Sequence, residues 1–151
     1  MSTEIDCYYG YGFDYNEVDT LKVPDFLRKH IDAIRKSGHD DFADLVAEDV
    51  EDESVLADEA DAIDPYYGWN CGGFGGIIAE IMRVELDIGI GCYSDSESGD
   101  SSIMWLECVP WSMNEKEKNL TKDSLTKLLR PYMDELGVSG EPDYQKVIVI
   151  G

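Results

Sequence analysis

Between residues 37 and 115 the chain carries twenty acidic side chains and one basic one, Arg83. Residues 1–36 sum to −2 and residues 116–151 to zero, so almost all of the net charge of −21 belongs to the middle half. Any fold of that half must turn its carboxylates toward water and build its interior from the residues between them. Enough apolar material remains. The chain is 43% hydrophobic with nine Tyr, four Phe and three Trp, which suits one globular domain over residues 1–151 and excludes wholesale disorder.

The apolar spacing predicts an α+β domain, mainly an antiparallel sheet of about four strands packed with about four helices. Ile5, Cys7, Tyr9, Tyr11 and Phe13 alternate with polar or small residues, a strand with one buried face. A helix follows from Pro24 to Gly38 with Val23, Phe26, Leu27, Ile31 and Ile34 on its apolar side, and His30 beside them. Asp40 to Asp64 reads as one helix, bent or broken near Glu53 and Ser54. Pro65 to Gly76 is a glycine and aromatic loop, and Ile77 to Val84 is helical again.

Leu86 to Cys92 and Ile103 to Val109 form a hairpin around the polar segment at Ser94 to Ser101. A loop symmetric about Glu97 and Ser98 sets Cys92 opposite Ile103 and Cys108 opposite Asp87, which argues against a Cys92–Cys108 bridge. Thr121 caps a last helix that Gly137 closes, with a kink or restart expected at Pro131. Val147 to Ile150 is continuously apolar and suggests an internal strand.

Twelve acids fall between Asp40 and Asp64 with no Lys or Arg among them. Asp41, Asp44, Glu48 and Glu51 or Asp52 form a stripe opposite the apolar residues, with Asp58, Glu59 and Asp61 as a second patch. Four like-charged i,i+4 pairs (Asp40–Asp44, Asp44–Glu48, Glu48–Asp52, Asp49–Glu53) cost about 0.2–0.5 kcal/mol each in a helix. Interleaved lysines would give the same solubility and reverse the sign. A locally unfavourable choice of this kind points to function. Carboxylates on a helix recur at about 5 Å, loosely like the phosphates of a nucleic-acid strand. Tyr66, Tyr67 and Trp69 follow directly and suit pockets that stack bases.

The expected partner is therefore a basic protein, such as a nuclease or another nucleic-acid-binding protein, met by an acidic inhibitor of the nucleic-acid-mimic type. A phage-encoded anti-restriction or anti-CRISPR protein and a nuclease immunity protein fit equally. Direct nucleic-acid or membrane binding is not expected, because both require clustered Lys and Arg. The rival reading of the charge is a solvated face serving solubility alone, in an accessory protein with its interface elsewhere.

Catalysis is the other rival. Cys71 in GWNCGGFGG precedes a helix, which lowers a thiol pKa, but the acidic field opposes that and only His30 and His39 could act as base. The glycines lack a phosphate-loop pattern, and no lysine lies between Lys36 and Lys116. Asp95, Glu97 and Asp100 resemble a cation loop in composition alone. No cofactor, structural metal or enzymatic activity is expected. Met1 to Asp6 has no signal-peptide character, and Cys7, Cys71, Cys92 and Cys108 lack CxxC spacing, so reduced thiols in the cytoplasm are expected.

Overall fold

A computed structural model describes residues 5–48, 53–63, 73–106 and 113–150. Four strands, β1 (Ile5–Asp14), β2 (Ile90–Ser94), β3 (Ser101–Leu106) and β4 (Asp143–Ile150), make one antiparallel sheet in the order β2-β3-β1-β4. The described helices are α1 (Val23–Lys29), α2 (Ile31–Lys36), α3 (Asp40–Ala47), α4 (Glu53–Asp61), α5 (Gly75–Leu86), α6 (Glu115–Lys118) and α7 (Lys122–Glu135). The class is α+β, with more and shorter helices than the spacing suggested. The stretch from Pro24 to Gly38 divides at His30, which leaves helical geometry at φ −106°, ψ 26°. The acidic stretch is likewise two helices, and α3 stops at Ala47, before the break expected at Glu53 and Ser54.

The core lies between one face of the sheet and the helices. Helix α5 is buried from Gly75 to Met82, as a helix apolar on nearly every side must be. Its one buried acid, Glu80, takes Arg83 at 3.0 and 3.3 Å. The single cation of the middle half is thus spent inside that half. Asp87 ends α5 in the left-handed region at φ 57°, ψ 43°, so β2 begins at Ile90 and not at Leu86. The hairpin register pairs Cys92 with Ile103, as the loop symmetry requires. Asp87 opposite Cys108 falls outside the described residues.

One further expectation is narrowed and another gives way. Helix α7 runs through Pro131 without restarting; the carbonyl four residues back belongs to exposed Lys127, where water can serve it. Strand β4 lies at the sheet edge, not inside it. Its apolar run has a different cause. The face of the sheet away from the main core curls on itself, burying Tyr93, Met104 and Val147 against Tyr8, Leu106 and Val149. Tyr8 and Tyr93 stack across the curl with ring centroids 6.1 Å apart.

The turn between β2 and β3 closes this curl onto the free edge of β4. Ser96 N donates to Ile148 O at 2.7 Å, Ile148 N to Asp95 Oδ2 at 2.9 Å, and Ile150 N to Ser96 Oγ at 3.1 Å. The other Asp95 oxygen accepts from the amides of Glu97 and Ser98. Asp95 thus latches an edge strand that would otherwise offer free backbone groups, which explains the acid better than a cation does. The Ile148 amide, followed by Ser98, holds its carboxyl below the ordinary value of 3.8. A lowered folded pKa gives stability that is present above the unfolded value and lost as pH falls through the folded one. Amide protection of Ile148 and Ile150 is expected to fall below about pH 3.8 in the native chain. In Asp95→Ala it is expected to be low at every pH; protection equal in both proteins would remove the latch.

Candidate functional site

The acidic face is built by α3 and α4. Phe42, Ala43 and Val46 anchor α3 in the core, which turns Asp40, Asp41, Asp44 and Glu48 outward. Leu56 and Ala60 do the same for α4 and leave Asp58, Glu59 and Asp61 exposed. The two helices bring Asp41 and Glu59 onto one open cleft of about 310 Å³, with His39 and Asp40 beside them. Glu51, Asp52, Tyr66, Tyr67 and Trp69 lie outside the described residues, as does Cys71.

The stripe is not uniform. Arg35 of α2 reaches Asp44 at 2.9 Å and Asp40 at 3.8 Å, so the Asp40–Asp44 repulsion is relieved by a cation just upstream of the acidic segment. Asp61 accepts from Gly73 N at 3.0 Å and holds the approach to α5. Glu48 is the C-cap of α3, so the i,i+4 row does not continue beyond it as one helix. The repulsion within α3 is therefore smaller than the sequence implied.

A different conflict appears at the helix ends. The C-terminal end of a helix carries partial negative charge and favours cations. Glu48 caps α3 there, Asp58, Glu59 and Asp61 fall in the last turn of α4, and neither last turn holds a base. Each carboxylate in that position is unfavourable by about 0.3–1 kcal/mol. Arg35 is a member of this face that the sequence did not single out, since it lies outside the run of acids, and His39 was weighed only as a base.

No family model, curated protein or solved structure matches this chain. The geometry alone bears on its function. His30 gives both ring nitrogens to carboxylates, Nδ1 to Glu85 at 2.9 Å and Nε2 to Glu135 at 2.6 Å, so neither is free to act as a base. Among the described residues no three His, Cys, Asp or Glu side chains converge as a metal site. No described helix is long and apolar enough to cross a membrane.

The cysteines depart from expectation. Cys7 is free and exposed, but Cys92, fully buried on β2, is disulfide-bonded to a partner outside the described residues. Four scattered cysteines contain no pairing information in their spacing, and the absence of CxxC was read too strongly as absence of a bridge.

Proposed function

We propose that this chain is an acidic protein inhibitor that seats its α3–α4 face on the basic, nucleic-acid-binding surface of another protein. The observation that carries the reading is the placing of Glu48, Asp58, Glu59 and Asp61 at helix ends that disfavour carboxylates, with no base in either last turn. Solubility needs no such placement. A partner rich in Lys and Arg offsets it on binding and gains rapid, selective association.

The test is the triple reversal Asp41→Lys, Glu48→Lys and Glu59→Lys, which leaves the structural bonds of Asp44 and Asp61 intact. Partner affinity in low salt is expected to fall by about a hundredfold. Unfolding in urea is expected to shift toward greater stability by about 0.5 kcal/mol, the gain from Glu48 and Glu59 being partly offset by loss of Asp41 from the first turn of α3. The partner is first captured from lysate by the native chain and released by salt or by excess DNA. An affinity unmoved by the reversal sinks the site.

One observation favours an accessory role instead. Ile5, Tyr9, Tyr144 and Ile150 on β1 and β4 are 44–68% exposed, a row of large apolar side chains on one face of these two strands. A partner held through that stripe stays bound as salt rises, whereas one held by the acidic face does not.

A further inference from the structure

A second site, built from other elements and independent of the acidic face, lies where α6 and α7 meet β1, β3 and β4. Tyr11 and Leu125, both buried, form the floor of a cavity of about 270 Å³, with Trp105 on one side and the ring of Tyr144 on another. Its size approaches the lower end of small-ligand pockets, about 300 Å³. Lys118 and Lys122 also line it.

The charges here run against the rest of the molecule. Glu117, the one acid lining the cavity, is buried and fully engaged: Trp105 Nε1 at 2.8 Å, Gly89 N at 3.1 Å and Asn114 N at 3.3 Å all donate to it. Lys118 shares its charge with Glu115 at 3.4 Å. Lys122 has no carboxylate in ion-pair reach among the described residues and instead stands 5.6 Å from the centre of the Tyr144 ring. What sets Lys122 apart is its place on the cavity rim beside an aromatic ring. Aromatic walls, an apolar floor and an ammonium with no carboxylate in reach among the described residues together match a flat ring bearing an anionic group.

We propose that this cavity binds a small aromatic carboxylate, its ring between Trp105 and Tyr144 and its carboxylate on Lys122. The Trp105 indole N–H, fixed on Glu117, gives a local NMR probe. Titration with indole-3-acetate is expected to shift that resonance saturably, and the neutral amide is expected to bind about fivefold more weakly. Lys122→Ala should abolish the difference between acid and amide. Tyr144→Ala, at an exposed position, should weaken both ligands alike. Absence of a saturable shift overturns the proposal. So does equal binding of acid and amide by the native chain, or a shift that follows protein concentration and reports self-association instead.

Discussion

Gly12→Val is expected to abolish the native fold, or at least to remove more than about 3 kcal/mol, beyond the usual range of overpacking. A Cβ at Gly12 would stand 2.0 Å from the carbonyl oxygen of Ile103, 2.7 Å from Met104 Cα and 2.9 Å from Ile103 C. All three are backbone atoms of β3, so no rotamer change relieves the contact. The strand itself would have to move, and the register from Gly10↔Leu106 to Asp14↔Ser102 would be lost with it. Against a total stability of about 5–15 kcal/mol the loss is decisive.

The reason for such proximity is the curl of the sheet. The face that carries Gly10 and Gly12 also carries Met104 and Val147, and among the described residues it buries them by folding on itself. A Cβ at Gly10 would meet Met104 Sδ at 2.7 Å and Cγ at 2.8 Å, but also Trp105 O at 2.8 Å. Gly10→Ala is therefore expected to be milder, since part of its clash is with a flexible side chain. Gly99→Asn is the control. Gly99 has φ +75° with open space around it, and Asn tolerates that region. Urea unfolding followed by circular dichroism separates the three; a Gly12→Val midpoint equal to that of Gly99→Asn would refute the close approach of β1 to β3.

What the sequence could disclose is what local physics decides. The period of two marked β1, and the cap at Thr121 appears as a reciprocal pair with Ser124, each side chain meeting the other's amide. The hairpin register followed from loop symmetry alone. The acidic face was legible as a run of like charges, because no Lys or Arg interrupts it. The remainder depends on contacts between separate elements, which spacing does not give. Arg35 meets Asp44 through the packing of α2 on α3, and Asp95 meets Ile148 through the curl of the sheet. An apolar run such as Val147 to Ile150 indicates burial but not by what. Here the cover is the sheet itself, which is why an edge strand read as an internal one.

The break at His30 was invisible for the same reason, and it leads to the second large effect. His30→Ala is expected to cost about 2–3 kcal/mol, somewhat less than breaking a fully buried ion pair at about 3–5 kcal/mol. The ring stands at the junction of α1 and α2, faces Glu85 of α5 through Nδ1 and Glu135 of α7 through Nε2, and packs on Phe26 at 4.5 Å. With a carboxylate on each nitrogen the geometry fits a ring that donates twice. Lys29 also pairs with Glu135, and the Tyr132 hydroxyl donates to Glu85 at 2.8 Å. Burial first, and then the Glu85 carboxylate, push the Tyr132 hydroxyl well above its ordinary range. Burial would raise the Glu135 carboxyl too, but bonds from Lys29 and His30 outweigh it and hold that group below its ordinary value.

Removing the imidazole leaves two carboxylates across a void, each partly shielded by water because Glu85 and Glu135 are 31% and 23% exposed. The pH dependence distinguishes this loss from simple loss of packing. The lowered pKa of Glu135 contributes stability above its unfolded value, and that contribution disappears as pH falls through the folded value. The native chain should therefore lose stability on going from about pH 6 to about pH 3 more steeply than His30→Ala does. His30→Gln, able to donate to one of the two carboxylates, should lie between them. Parallel acid limbs in all three proteins would reduce His30 to a packing residue and leave the helix break without an electrostatic cause.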